Sequence, residues 1–182
     1  MSDRSERVIL VDDHDTAVGT ADKLEAHRTG ALHRAFSVFV QNRRGEMLLQ
    51  RRARDKYHSG GLWSNACCSH PRPGEPTDAA ARHRLREEMG FTCPVDRVAA
   101  LTYRAEVGGG LVEHEYDHLF VARWDGVPSP DPTEVEDWRW IALAELRAEL
   151  DRTPERFTYW FRVAFRQLDA AGHLTDPVGR VA

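Results

Sequence analysis

No stretch of this chain comes near the ~20 consecutive apolar residues that a bilayer-spanning helix needs, and the opening MSDRSERVIL has no apolar core like that of a secretory leader. Basic charge is not in excess either. The chain has 25 Lys and Arg against 29 Asp and Glu, a formal net charge of −4, so it offers no sequence-wide positive field to a nucleic acid or an anionic membrane. Any anion recognition has to be local. Cysteine is scarce, with three in 182 residues. These absences predict a cytoplasmic protein with no nucleic-acid or membrane partner. An odd number of thiols in a reducing compartment predicts no structural disulfide.

Two of the three cysteines are neighbours, Cys67 and Cys68, in the stretch SNACCSHP at 64–71. Adjacent cysteines bridge each other only with heavy backbone strain, and the C-x₂₋₄-C spacing of a cysteine zinc site is missing. The pair reads as free thiols, each either reactive or buried as a small apolar group. The remaining composition, 41% hydrophobic and 30% charged, is the balance of one globular domain with a sizeable core, expected to span 1–182.

Periodicity predicts the elements. RVILV (7–11) is short, apolar and β-branched, and 34–41 with 46–51 flank Asn-Arg-Arg-Gly, a hairpin loop in which Gly45 can take positive φ. From Pro76 to Met89 a helix opens on proline and stops at Gly90. Segments 97–106 and 113–123 alternate as strands around VGGG, and 135–141 is a further strand before a helix over ALAELRAEL. A last helix is expected over 154–170, opening at Pro154, with Phe157, Trp160, Phe161, Ala164, Phe165 and Leu168 at helical spacing. Without regular βαβ alternation, the order predicts an α/β sandwich around a mixed sheet, with VPSPDPT (127–133) too short a loop to divide domains.

Chemistry concentrates in EHEYDH at 113–118. As a strand it points Glu113, Glu115 and Asp117 to one face, either a solvated face or, since LFVA follows, a buried one that cations or a metal must balance. His27, His33 and His70 are each either packing histidines or ligands. With Glu113 and Glu115 they make three nitrogen and two oxygen donors, which suits a divalent metal in a five- or six-coordinate site. Lys23, Arg52, Lys56 and Arg84, with Arg51 and Arg54 nearby, form either a solvated run or the local cluster a diphosphate would need. Arg84 and Glu88 share a helix face at i, i+4, and as an exposed pair they are worth only ~0.3–0.5 kcal/mol.

Residues 69–91, SHPRPGEPTDAAARHRLREEMGF, resemble a degenerate Nudix box, with Glu75, Glu87, Glu88 and Gly90 in place. Ser69 replaces the first glycine of the box and His83-Arg84 its central Arg-Glu pair, which counts against ordinary Nudix hydrolysis. AHRTGALHRAFSVF, LLQRRARDKYHSGGLWSNACCSHPRPGE, LREEMG, YRAE and VEHEYDHLF together are more similar to the type 1 isopentenyl diphosphate isomerases, which share the Nudix fold.

That resemblance implies a Nudix-like α/β/α sandwich and conversion of isopentenyl diphosphate to dimethylallyl diphosphate, feeding isoprenoid synthesis, in a monomer or weak homodimer. Position by position, it makes Cys68 a catalytic thiol and leaves Cys67 on a variable position. It makes Glu115, assisted by Tyr103, the other proton carrier. His27, His33, His70, Glu113 and Glu115 match a metal site for Mn²⁺, Mg²⁺ or Zn²⁺, and Glu88 matches the carboxylate near a Mg²⁺ bound to the diphosphate. Lys23, Arg52, Lys56 and Arg84 match diphosphate-binding positions; Trp160 faces the hydrocarbon part or is plain core. A diphosphohydrolase and a catalytically inactive metal-binding module are the alternatives.

Overall fold

The computed structural model describes residues 6–175; the outer residues of the expected 1–182 domain lie outside the described part. In chain order the elements are β1 (Arg7–Val11), β2 (Ala17–Asp22), α1 (Lys23–Thr29), β3 (His33–Gln41), β4 (Met47–Arg52), β5 (Trp63–Asn65), β6 (Cys67–Ser69) and α2 (Thr77–Met89), then β7 (Asp96–Gly108), β8 (Leu111–Arg123), β9 (Val135–Ile141), α3 (Leu143–Arg152) and α4 (Tyr159–Ala170). The sheet is mixed: β3 runs parallel to β8 and antiparallel to β1 and β6, while β7 pairs antiparallel with β8 and β9 with β4.

Alternating side chains give the sheet two apolar faces, and each is covered. Phe36, Val38, Val40 and Phe120 pack against Ala80, Ala81, Leu85 and Met89 of α2. Phe39, Leu49 and Leu119 pack on the other side against Leu143 and Leu146 of α3 and Phe161, Phe165 and Leu168 of α4. The expected α/β/α sandwich is the architecture found.

Several elements differ from the sequence reading. The turn at Gly45 (φ 74) forms, but β3 and β4 register only at Gln41–Met47 and then part, so the expected hairpin is a splayed pair. The chain bridges that gap itself: β5 pairs with β4 and β6 with β3, crossing over at Ala66. The expected 154–170 helix is broken. Pro154–Arg156 form a single 3₁₀ turn, and Phe157 is extended (φ −118, ψ 147) and bridges Trp63. The Thr158 N–H donates to the Trp63 carbonyl at 3.0 Å, so α4 starts only at Tyr159. Backbone pairing with β5 wins over helix propensity there. Strand β2 and helix α1 lay in stretches the periodicity left unassigned.

The loop 127–133 lies across the end of α2, where Ser129 N–H donates to the Met89 carbonyl and Asp131 N–H to that of Glu88. Gly90 makes the approach possible, with φ 76 and only 2.2 Å between an added Cβ and the Ser129 carbonyl oxygen. Gly90→Ala is therefore expected to cost at least ~1–3 kcal/mol, the strain of a non-glycine residue in this region plus the clash. Urea denaturation measures it, and an unshifted midpoint would refute the packing described.

Candidate metal and substrate site

Strand β8 supplies the floor. Its alternation turns Glu113, Glu115 and Asp117 inward, with exposures of 4%, 7% and 0%, which removes the solvated-face alternative. The parallel register sets His33 opposite Glu115 from β3, and β7 sets Tyr103 opposite Glu115 from the other side. Helix α1, N-capped by Asp22 accepting from Leu24 and Glu25 N–H, carries Lys23 and His27 one turn apart. His70 follows directly after β6.

These residues converge. His27 Nε2 lies 3.4 Å from Glu113 Oε1, and His70 Nε2 and His33 Nε2 lie 2.8 and 3.7 Å from Glu115 Oε1. One ligand atom from each of the five lies within 4.8 Å of the others. The Nδ1 atoms of His27 and His33 face the carbonyls of Lys23 and Ala31 at 2.6 and 2.8 Å, which places the proton on Nδ1 and aims a bare Nε2 lone pair into the cluster. Among the described residues His27 Nε2 has no hydrogen-bond partner, and His33 Nε2 and His70 Nε2 are only 3.2 Å apart. Two such lone pairs need a shared proton or a cation, and the three-nitrogen, two-carboxylate set fits a divalent cation.

The three carboxylates are electrostatically unequal. Burial pushes Glu113 up, but the neighbouring His27 and His58 imidazoles outweigh it and hold its pKa well below the carboxylate range. Burial first, and the Glu113 charge second, raise Glu115 to about 7. Burial and Glu115 push Asp117 well above its ordinary value, where it accepts from Ser37 Oγ–H at 2.8 Å. Tyr103 O–H donates to Glu115 Oε2 at 2.7 Å, and burial keeps that phenol protonated. For His27, burial opposes charge but the adjacent Glu113 carboxylate prevails and raises it.

Strand β6 separates the two thiols. Cys67 is fully buried on the α2 side, whereas Cys68 lines the pocket above Glu115 and Glu113. Burial raises Cys68 to about 12 against the pull of Arg52, so it holds its proton at neutral pH. All three cysteines are free.

Strand β4 sorts the cations the same way. Arg51 and Arg54 pair with Glu136 at 2.7 and 3.3 Å, while Arg52 and Lys56 turn to the pocket, so of these four only Arg54, its side chain 79% exposed, fits the solvated-run alternative. Lys56 bonds Glu134; Lys23 lies 3.5 Å from Glu6 and over the Tyr57 ring. Arg84 binds Glu88 at 3.0 Å and Glu87 at 2.7 Å. Glu88 is 4% exposed and accepts from Gln50 at 3.1 Å, which corrects the exposed-pair alternative for Arg84–Glu88; burial raises the Glu88 pKa. Trp160 is both core and wall: it packs among the α4 apolar residues, lines the pocket and carries the Arg52 guanidinium 5.2 Å over its ring.

Every predicted site residue except His27 and His33 lines one open pocket with about 480 Å³ of free space, and those two lie fully buried behind it. The sequence reading missed Tyr57, His58, Ser69 and Glu134 on the lining. Tyr57 and His58 sit in an aperiodic loop, and Glu134 meets Lys56 only through folding, so neither pattern nor spacing signalled them.

This fold is that of a NUDIX domain protein: the family model described as NUDIX domain matches residues 31–161. DR0079 of Deinococcus radiodurans superposes with TM-score 0.69 over 81% of this chain and 90% of that one, at 20% identity, and a MutT protein of Methanosarcina mazei with 0.65 over 78% and 95%, at 17%. Curated relatives are much closer in sequence. Isopentenyl-diphosphate Delta-isomerase 2 of Aromatoleum aromaticum is 48% identical over 96% of this chain and 95% of its own length. The isomerases of Serratia proteamaculans and Burkholderia multivorans are 49% and 53% identical over 91% and 86% of the chain and 92% and 89% of theirs. The chain belongs to the isopentenyl-diphosphate Delta-isomerase family.

The raised thiols set a pH test. Cys68 (about 12) and Cys93 (about 11) stay protonated in the fold, whereas an unfolded cysteine titrates near ~8.5. Folded pKa values above the unfolded one add stability that is complete below the unfolded pKa and lost as pH climbs toward the folded values. Iodoacetamide alkylation of Cys68, mapped by mass spectrometry, should show no inflection until above about pH 10 in the folded chain. An inflection near pH 8.5 would contradict the burial argument.

Proposed function

We infer that this chain isomerises isopentenyl diphosphate to dimethylallyl diphosphate by protonating the terminal alkene carbon and removing a proton from the carbon two positions away. The observation that carries the reading is the Cys68 thiol, its pKa raised by burial, in one pocket with the Glu115–Tyr103 hydrogen bond, beside a cluster of cations. An unactivated alkene is a poor base, so a neutral acid must be held against it in a dry site. Cys68 fills the acid role and Glu115, with the Tyr103 hydroxyl, the other proton position. The intermediate tertiary cation lies against the Trp160 face.

Lys23, Arg52, Lys56 and Arg84 bind the diphosphate, with Arg offering paired donors and Lys point charges. His27, His33, His70, Glu113 and Glu115 would hold a Mn²⁺, Mg²⁺ or Zn²⁺ ion, and Glu88 would sit near a Mg²⁺ that arrives with the diphosphate. A divalent ion there supplies positive charge that favours the ionised form of its carboxylate ligands. The reading includes action as a monomer or weak homodimer, in the cytoplasm and on a small molecule only. Against hydrolysis stands Arg84, a cation bonded to Glu88 at the position where the Nudix box has a carboxylate.

In deuterated water with added divalent metal, the dimethylallyl diphosphate formed should carry solvent deuterium in a methyl group. Cys68→Ala should cut turnover by ~10²–10⁴-fold, the usual worth of acid–base catalysis, while Cys67→Ala keeps most of it. Unlabelled product, released phosphate, or the opposite ranking of the two thiols would overturn the reading.

A further inference from the structure

His58 belongs to none of the predicted roles, yet it is 7% exposed and its Nε2 lies 2.9 Å from Glu113 Oε1, the oxygen that His27 Nε2 approaches at 3.4 Å. It stands outside the group of five whose ligand atoms lie within 4.8 Å of one another. Its ring is wedged edge-on to Tyr57 (centroids 4.4 Å, 85°) and to Trp160 (5.9 Å, 87°), so it has little freedom to turn. The other ring nitrogen, Nδ1, lies 3.2 Å from the Ser59 hydroxyl. Ser59 itself sits at φ 53, a conformation uncommon for a residue with a side chain and typical of positions held for a purpose.

One tautomer satisfies every contact. With Ser59 O–H donating to Nδ1, the imidazole proton is on Nε2 and donates to Glu113 Oε1. A neutral ring can do this without adding charge to the cluster. The same loop carries Lys56, so one short segment reaches both the carboxylate floor and the cation end of the pocket.

We propose that His58 is a positioning residue that acts through Glu113: its Nε2–H fixes the Glu113 carboxylate toward the cluster of His27, His33, His70 and Glu115, and so raises that cluster's affinity for a divalent cation. This rests on the five-ligand reading above. Outer hydrogen-bond partners of metal ligands typically change metal affinity by ~10–100-fold when removed.

The test is Mn²⁺ binding to chelator-stripped full-length protein without diphosphate, read from the spin-resonance signal of free Mn²⁺. His58→Phe keeps a planar ring against Trp160 but deletes the donor; His58→Gln keeps an N–H at comparable reach. His58→Phe should weaken Mn²⁺ binding by ~10–100-fold, while His58→Gln stays within about threefold of wild type, with thermal midpoints recorded to separate affinity from folding. Ser59→Ala, which frees the tautomer, should fall between wild type and His58→Phe. Equal affinity in His58→Phe and wild type would overturn the proposal, as would equal losses in the Phe and Gln variants, which would mark a packing role. Wild type that binds no Mn²⁺ would instead overturn the five-ligand reading beneath it.

Discussion

Three carboxylates two residues apart on one buried strand face cannot all keep their charge without compensation, and the organisation of this site follows from that constraint. Each carboxylate meets it differently. Glu113 has its pKa held low by two imidazoles, Glu115 shares two imidazoles and a phenol, and Asp117, its pKa raised by burial, accepts from the Ser37 hydroxyl. Parallel pairing of β3 with β8 is what makes the arrangement possible, because its register brings His33 level with Glu115 and Ser37 within reach of Asp117. A slip of one residue would turn both partners to the other face.

The substrate pocket comes from a second feature of the sheet, the parting of β3 from β4 after Gln41–Met47. Crossing that gap through β5 and β6 places Cys67 under α2 and Cys68 over the carboxylates, so two chemically identical neighbours acquire opposite environments. The cation end is built by β4, the loop after it, α1 and α2. Its acidic neighbours Glu134, Glu88 and Glu6 already bond Lys56, Arg84 and Lys23, and an arriving diphosphate would compete with those carboxylates.

What was legible in the sequence had local periodicity. The shared face of Glu113 and Glu115 follows from alternation in EHEYDH, and α2 from proline at its start and glycine at its end. The convergence of His27, His33 and His70 was not legible from spacing, since it depends on an unpredicted helix, a parallel ladder and the turn after β6. It came from resemblance. His58 and Glu134 gave no signal at all, because an aperiodic loop acquires its partners only when strands distant in sequence close around it. The misread start of α4 shows the converse: Phe157 fits the helical spacing and is buried, but its backbone pairs with Trp63 instead.

Glu113 and Glu115 face the same cluster from one strand and both line the pocket with Cys68, yet only Glu115 bonds the Tyr103 hydroxyl at short distance, which makes it the proposed second proton position. Metal content measured beside turnover in Glu113→Gln and Glu115→Gln separates holding a cation from moving a proton, because glutamine keeps a carbonyl oxygen and loses the exchangeable carboxyl. At saturating metal, Glu113→Gln should recover much of its turnover while Glu115→Gln stays down by ~10²–10⁴-fold. Recovery of both variants in step with metal occupancy would contradict a proton-transfer role for Glu115 and leave it a ligand alone.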